Sequence, residues 1–487
     1  MSTGKLPLAA DGLQLNFCKT LACRNFGLSD EKHYLLQDTD PSRPGLVCRE
    51  CGAFPPLLNN HAVRKEFSRL KKQDSGNLAA CSTDTCIAYG KPVLTHRELY
   101  HAFGYSGERQ RYRCKHCQST FVDRWSNANP KLDLQQKLLG LLFTGYPVRE
   151  ICRRLQMNPK TFYDHLDQIA ARCRNKLASV DARYLQLAKD APLASTLTTL
   201  QPRSENGVMW LATGDATHGY VLLQNINYSP EEDKPDENAD VYMPNTRRMP
   251  DSFLHLEDGP ESAQDTLLNQ VNAKYQEVLS RSNVEDLYTR PIHIDYPSKG
   301  CLIRPQYTAY AQYLRLRELV PHWDEITLYL PQEPLLRSAV FSIFKDKLLT
   351  RQCHPVYVEQ NEMWQENDNA ENVDIMLLSW WRDRWAFTQK GKAEKAICHL
   401  WRETGKEHKW LQQASTFRLE EYQARFHINF RSLVDEPRRR LRPGGLLPLL
   451  DIFRAWNNLC HQNNEGFTPA QALNLTRQPY TLAQLLG

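Results

Sequence analysis

A cysteine pattern that occurs twice in the N-terminal quarter of the chain constrains the fold more than any other feature of the sequence. Each copy consists of Cys-x4-Cys, an aromatic residue followed by glycine, a linker of similar length and then Cys-x2-Cys. Tetrahedral zinc takes four soft ligands, and two tight turns with this spacing supply them. The sequence therefore predicts two zinc ribbons, over residues 15–58 and 78–124. Their ligands are Cys18, Cys23, Cys48 and Cys51 in the first copy, and Cys81, Cys86, Cys114 and Cys117 in the second.

The rest of the composition favours metal binding over disulfide formation. The N-terminus, MSTGKLPLAADG, lacks the apolar core of a signal peptide, and the longest apolar stretch is far shorter than the ~20 residues of a membrane-spanning helix. We therefore expect a cytoplasmic protein with no membrane partner, in a compartment that keeps thiols reduced. Because a small ribbon has too few apolar residues to fold unaided, both zinc ions are predicted to be structural. Free cysteines buried in an ordinary core are the alternative, and the other six of the fourteen cysteines receive no role.

The charge is uneven along the chain. Residues 1–200 carry 29 Lys and Arg against 18 Asp and Glu, a net charge of +11, whereas the remainder of the chain has a net charge of −6. A basic front end of this kind is typical of a protein that meets a polyanion. Two ordinary solvated surfaces of opposite charge are the alternative.

Two segments of the basic front end are predicted to contact double-stranded DNA. In the second ribbon, RQRYRCK places basic residues at alternate positions, as on one side of a strand, which suits a phosphate backbone. Residues 130–187 have the spacing of a helix-turn-helix, with Asn158 as N-cap and Pro159 at the first position of the second helix. A solvated face and a plain helical hairpin are the respective alternatives. The predicted contacts are Arg109, Arg111, Arg113 and Lys115 in the ribbon, and Lys160, Thr161, Tyr163 and His165 on the second helix.

Residues 205–390, which follow a linker over 196–207, are predicted to form a mixed sheet with helices. Residues 208–215 and 220–228 have the pattern of an antiparallel strand pair, and residues 229–290 look like an insertion. Strands over 291–295, 325–330 and 355–359 then alternate with helices, and a further helix is expected to begin near Glu371. This order is that of the ribonuclease-H-like fold. With a helical C-terminal region over 391–487, the chain is predicted to be a multidomain protein of the α+β and α/β classes.

Tandem ribbons that end in RYRCKHCQSTF, a helix-turn-helix and a ribonuclease-H-like domain whose opening strand ends in Asp215 together resemble a family of bacterial enzymes. These are the DDE-type transposases of insertion sequences that have zinc-ribbon N-termini, and the resemblance extends over residues 15–390. It implies a nucleoid-associated protein of the bacterial cytoplasm that acts as a homo-oligomer on double-stranded DNA. It also implies two Mg²⁺ or Mn²⁺ ions, held by three carboxylates, that cleave the element ends and join the freed 3′-hydroxyl to target DNA.

The resemblance assigns the three carboxylates to Asp215, Glu333 and Glu371. The sequence departs from the family at the second acid, because Pro331 stands where the fourth strand ends and Glu333 is the nearest carboxylate. Glu333 could instead stabilise the first turn of the following helix, where the helix dipole favours an anion. For the third acid, Glu366, Asp368 and Asp374 compete with Glu371, and Asp295 at the far edge of the expected sheet is a weaker candidate.

The final third of the sequence leaves its own alternatives open. Tryptophans at helical spacing in residues 371–430 predict a core, and the run EPRRRLRPGG predicts either a phosphate-contacting strap or a solvated linker. Three functions follow from the whole sequence. The first is an active transposase, and the second is a catalytically degenerate relative that binds DNA as a regulator or defence component. The third makes the ribbons modules that bind another protein.

Overall fold

The computed structural model describes most of the chain and divides it into two compact units. The first unit comprises Met1–Phe67, Lys189–Thr217 and Leu223–Glu421, and the second comprises Ser68–Ala188, His218–Leu222 and Tyr422–Gly487. The residues described are 6–37, 45–53, 55, 57–75, 78–83, 85–94, 96–107, 109–123, 129–200, 208–230, 266–280, 300–361, 364, 374–380, 383–401, 405–434 and 443–487.

The secondary structure of these residues is mixed. The strands are β1 (Tyr34–Gln37), β2 (Gly45–Cys48), β3 (Tyr100–Ser106), β4 (Arg109–Cys114), β5 (Thr120–Val122), β6 (Leu193–Leu200), β7 (Val208–Asp215), β8 (Val221–Ile226), β9 (Tyr228–Ser229), β10 (Cys301–Leu302), β11 (Ile326–Leu330), β12 (Cys353–Gln360), β13 (Ile375–Trp380), β14 (Asp383–Lys390) and β15 (Ala393–His399). The helices are α1 (Asn60–Ser75), α2 (Leu132–Phe143), α3 (Val148–Arg154), α4 (Pro159–Leu187), α5 (Leu267–Ser280), α6 (Pro305–Leu319), α7 (Pro334–Ile343), α8 (Lys345–Leu349), α9 (Glu407–Gln413), α10 (Phe417–Val434), α11 (Pro443–Leu459), α12 (Pro469–Ala472) and α13 (Leu482–Leu486). None of these helices combines the length and the apolarity needed to cross a lipid bilayer.

A mixed sheet of eight strands forms the core of the first unit, which confirms the predicted mixture of parallel and antiparallel strands. Its order is β13-β14-β15-β12-β11-β6-β7-β8. Strand β11 lies parallel to both β6 and β12, whereas the pairs β6–β7, β12–β15, β14–β15 and β13–β14 are antiparallel. Strand β7 is buried along its whole length, as expected for a central strand flanked on both faces.

The strand that opens this sheet is β6, and the prediction that the sheet begins with residues 208–215 is wrong. The predicted linker over residues 196–207 overlaps β6, whose sequence LASTLTTL contains four hydroxyl side chains. Inside the sheet the Ser195 hydroxyl lies 2.9 Å from the hydroxyl of Thr213 on β7, to which Gln312 donates over 2.8 Å. The hydroxyls of Thr196 and Thr199 are buried without a hydrogen-bond partner among the described residues. Threonine is β-branched and suits a strand, so this hydroxyl-rich segment forms β6 even though two of its hydroxyls are buried without partners. Asp215 therefore ends the second strand of the sheet.

The segment after β12 also differs from the prediction. A long helix was expected to begin near Glu371, but residues 375–380, 383–390 and 393–399 form three antiparallel strands that extend the sheet. Trp385, one of the tryptophans predicted to lie on a helix, is fully buried on β14. Its indole stacks on Tyr357 at 6.1 Å and donates to the Tyr275 hydroxyl over 2.8 Å. The strand predicted over 291–295 and the arginine run 438–442 lie outside the described residues.

The first cysteine cluster packs against helices of its own unit. The Phe26 ring meets Phe341 of α7 edge to face, with 6.4 Å between the ring centroids. Lys19 donates a hydrogen bond to the Tyr310 hydroxyl on α6. The cluster is therefore anchored to the sheet unit through aromatic and polar contacts.

The second unit contains the predicted helix-turn-helix segment. The Asn158 side chain caps α4 by accepting from the Thr161 N–H over 2.8 Å, and Pro159 occupies the first turn, as predicted. Helix α4 continues for 29 residues and is held to α11 of the same unit by a partly buried ion pair. In that pair Arg454 lies 2.6 Å from Asp181, whose carboxylate also accepts from the Tyr220 hydroxyl.

Candidate metal centres and nucleic-acid surface

The eight predicted zinc ligands come together as two groups of four. In the first, the sulfur atoms of Cys18 and Cys51 are 3.5 Å apart, and those of Cys23 and Cys48 are 3.7 Å apart. The corresponding distances in the second are 3.4 Å for Cys81 and Cys117 and 3.7 Å for Cys86 and Cys114. All four ligand atoms in each group lie within 4.8 Å of one another.

These separations match a zinc tetrahedron and exclude disulfides. A Zn–S bond of about 2.3 Å gives a tetrahedron with S–S edges of about 3.8 Å, whereas a disulfide requires about 2.05 Å. None of the fourteen cysteines, all of which lie in the described residues, forms a disulfide. Among the described residues, the two tetrads are the only groups of three or more Cys, His, Asp or Glu side chains close enough to share a metal. Each tetrad can therefore hold one zinc ion with no open coordination position.

The backbone around the two tetrads is built in the same way. Gly27 donates to the carbonyl of Cys18, and Gly90 donates to the carbonyl of Cys81. Both glycines have positive φ, +76° and +66°, which explains the glycine that follows the aromatic residue in each copy of the motif. The same turn is thus made twice.

A buried tyrosine that the sequence pattern did not predict supports each tetrad. The Cys18 N–H donates to the Tyr34 hydroxyl over 2.8 Å, and the Cys81 N–H donates to the Tyr100 hydroxyl over 3.3 Å. Each hydroxyl in turn donates to carbonyls of its own knuckle, those of Leu28 and Lys91 among them. The available signal was the parallel pair EKHY and RELY, each ending in tyrosine at the start of a strand.

One thiol in each tetrad has a lowered pKa. Hydrogen bonds from Ser119, first from its hydroxyl and then from its backbone N–H, lower the pKa of Cys117 to about 5. Burial raises the pKa of Cys51, but hydrogen bonds from the Ala53 N–H and from neighbouring thiols outweigh it and leave the pKa at about 6. Since zinc binds thiolates, each tetrad offers one ligand that is already ionised at neutral pH.

The basic residues predicted in the second ribbon lie on the β3–β4 hairpin and just beyond it. Arg109 and Lys115 are exposed, while the guanidinium groups of Arg111 and Arg113 lie 5.7 and 5.3 Å from the Phe103 ring centroid. Phe103 and Tyr105 on β3 are themselves exposed, at 45% and 69%. The hairpin therefore presents cations together with aromatic rings.

The helix α4 residues divide into surface and core. Lys160 is exposed, and Thr161 and Tyr163 are half-buried. The prediction that His165 is exposed is wrong, because it is only 3% exposed and faces the core with Phe162, three residues before it on the helix. Burial, and secondarily the charge of Lys131, lowers the pKa of His165.

The predicted carboxylates hold separate structural positions. Asp215 is buried at the end of β7, opposite Leu193, and accepts from the Thr217 N–H over 3.1 Å. Glu333 caps α7 by accepting from the Leu335 N–H over 3.3 Å, and lies 3.7 Å from the Lys274 ammonium. Leu193 of β6 pairs with Asp215 on one side and with Leu328 of β11 on the other. Glu333 follows Leu328 by five residues, and β6 lies between β11 and the strand that carries Asp215. The described residues thus place neither acid in a three-ligand group. Glu371, Glu366, Asp368 and Asp295 lie outside the described residues.

Comparison of the chain with protein-family models, with curated proteins and with solved structures gives no match.

Proposed function

We propose that this chain is a zinc-dependent DNA-binding protein, and that the β3–β4 hairpin and the N-terminal part of α4 contact duplex DNA. The observation that carries the proposal is the hairpin on the second tetrad. It exposes Arg109, Lys115 and Tyr105 beside the second cysteine tetrad, and arginine, lysine and tyrosine are side chains that contact phosphates. A rigid hairpin places these groups without the loss of entropy that ordering a loop would bring.

The helix-turn-helix segment supports the same proposal. Its turn leads into a capped helix whose first residues include the exposed Lys160. The preceding helix α3 ends in two exposed arginines, and Arg154 lies 4.1 Å from the Tyr146 ring centroid. Glu150 pairs with both arginines, so the segment is moderately rather than strongly basic. Helices of this kind enter the major groove while neighbouring cations hold the backbone.

We further propose that the body is a transposase-type, ribonuclease-H-like domain that has lost its catalytic role. The strand order β8-β7-β6-β11-β12, with β11 parallel to its neighbours, is the order expected for that fold and supports the resemblance. The fold puts the first acid on its opening strand, but β6 reads LASTLTTL and contains no carboxylate. Together with Pro331 at the second position, this favours a DNA-binding regulator or defence component over an active transposase.

The test is binding of a fluorescent, mixed-sequence 30-bp duplex, followed by anisotropy between 50 and 200 mM salt. Each phosphate contact contributes about 0.9 to the slope of log K against log salt. We expect Arg109→Glu with Lys115→Glu to weaken binding and to reduce the slope by about 1.8, while Arg477→Glu, an exposed charge on the C-terminal segment, changes neither beyond twofold. Binding that is insensitive to salt would instead favour ribbons that bind a protein.

A further inference from the structure

The first unit contains a groove of about 990 Å³ that no part of the proposed function uses. It lies over one face of β11, β12 and β15, with α9 beside it, and Thr327, Tyr329, His354 and His399 project into it from the strands. Its volume is at the upper end of the range for small-ligand sites.

The floor of the groove is aromatic and rigid. The rings of His354, His399 and Trp410 pack on one another with centroid distances of 5.1 to 5.7 Å. Trp401, which is half-buried, is fixed by a hydrogen bond of 2.7 Å from its indole N–H to the Leu348 carbonyl. Such rings can stack on a planar ligand without losing rotamer freedom.

The charge of the groove is mainly positive. Lys406 and Lys409 are exposed at one side, and the buried Lys395 places its ammonium 5.4 Å from the Trp364 ring centroid. Asp190 and Glu325 are the acids among the described lining residues. An aromatic floor with a cationic rim is complementary to a ring that carries phosphate.

Arg351 adds a second, independent indication. Its guanidinium lies 5.8 Å from the Trp401 ring centroid at the mouth of the groove. Its φ is +57°, a left-handed conformation directly after α8, where glycine or asparagine is the usual residue. An arginine is therefore present at a position where the backbone favours glycine, which the fold alone does not explain.

We propose that this groove binds a nucleotide, with its base stacked on the aromatic floor and its phosphate held by Arg351, Lys406 and Lys409. The observations favour an unpaired nucleic-acid strand as the source, because a groove of about 990 Å³ has room for more than one nucleotide and only an unpaired base exposes its face. This inference goes beyond the proposed function, since duplex contact is assigned to side chains of the second unit.

The first experiment measures anisotropy of a fluorescein-labelled dT12 on the full chain, with Arg109→Glu and Lys115→Glu present throughout to remove the hairpin's contribution. At 0.1 M salt, each phosphate contact to a single strand contributes about fivefold to affinity. We expect Lys406→Glu with Lys409→Glu to weaken binding about 25-fold or more. The matched control is Lys390→Glu with Lys392→Glu, at the exposed turn between β14 and β15, and it should change affinity less than threefold. Equal losses in both pairs would overturn the proposal.

Arg351→Gly provides a variant that the fold should accept, because glycine adopts positive φ freely. We expect binding of dT12 to weaken about fivefold while the thermal midpoint stays the same or rises. Unchanged affinity in this variant and in the lysine pair would overturn the proposal.

The second experiment locates the base and identifies its source. Irradiation with a 5-iodouracil-substituted oligonucleotide should cross-link a peptide containing His354, Trp401 or Trp410. Full competition by 1 mM ATP would identify a free nucleotide as the ligand, and competition only by oligonucleotides would identify an unpaired strand; both support the site. Cross-links confined to the β3–β4 hairpin, or no binding of either probe, would overturn it.

Discussion

Removing one buried hydroxyl should weaken zinc binding at one site and leave the other unchanged. Tyr100 is 5% exposed, and its hydroxyl accepts from the Cys81 N–H and donates to the Ala88 carbonyl over 3.0 Å. In Tyr100→Phe the ring remains and the Ala88 carbonyl still accepts from the Lys91 N–H, but the buried Cys81 N–H loses its partner. Leaving such groups unsatisfied costs about 1–3 kcal/mol.

This cost should appear as a loss of metal affinity, because a ribbon of this size folds only with its metal. At about 1.4 kcal/mol per tenfold change, the apparent zinc affinity of the second site should fall about 5- to 150-fold. Tyr34→Phe should produce the same loss at the first site, where the hydroxyl accepts from the Cys18 N–H.

The assay is competition for zinc with a chromogenic chelator, which resolves two sites when one is weakened. Tyr112→Phe is the matched control, since it removes a hydroxyl from the same ribbon, and Tyr112 packs on the Phe121 ring instead of bonding a cysteine amide. If Tyr34→Phe and Tyr100→Phe both retain wild-type zinc affinity within twofold, the supporting role of these tyrosines is refuted.

Three further predictions follow from the other sites. Elemental analysis should find about two zinc ions per chain and about one in Cys51→Ser; a wild-type value near zero would refute the tetrads as metal sites. The pKa of His165 is lowered in the folded state from its ordinary 6.5, so the unfolded chain takes up the proton first and stability should fall as the pH drops below about 6.5. In thermal unfolding at pH 5, 6 and 7, His165→Gln should reduce this fall, and an unchanged pH dependence would contradict its burial as a neutral side chain. Asp215→Ala should lower stability by roughly 1 kcal/mol through the lost bond to the Thr217 N–H, without altering duplex binding. Cleavage of DNA in Mg²⁺ or Mn²⁺ that depends on Asp215 would contradict the proposed loss of catalysis.

The cysteine tetrads could be predicted because a metal site has few spacings and few ligand types. Cys18 and Cys51 are far apart in sequence, yet the repeat alone indicated that they would meet. The tyrosines that hold the knuckles could not be found in the same way. A tyrosine near a strand is common, and only the folded backbone shows that its hydroxyl reaches a cysteine amide.

The mixture of parallel and antiparallel strands in the sheet was predicted, but several of its individual strands were not. Strand β6 was missed because its threonines look polar, and the hydrogen bonds that satisfy Ser195 and Thr213 come from elements distant in sequence. Without β6, the strand that ends in Asp215 counted as the first strand of the sheet instead of the second. Asp215 was therefore assigned as the first catalytic carboxylate. Likewise, His165 was placed on the surface because its side chain is polar, although its position three residues after Phe162 puts it on the core face of α4.

Strands β13 to β15 show a different difficulty. Tryptophans spaced three or four residues apart indicate a helix, but the strand β14 buries consecutive residues around Trp385 on both of its faces. Periodicity carries no information when a segment is covered on both sides, because every position is then apolar or paired.

Each compact unit contains one tetrad, so two zinc ions would be held at separate sites in separate units. When the metal is scarce, such a chain does not switch between one loaded and one empty form but distributes over four occupancy states. A chain with zinc only at Cys18, Cys23, Cys48 and Cys51 would keep the anchored ribbon of the sheet unit and lose the scaffold of the β3–β4 hairpin. If the hairpin binds duplex DNA as proposed, zinc supply would then set the fraction of molecules able to bind it, separately from how much of the protein the cell makes.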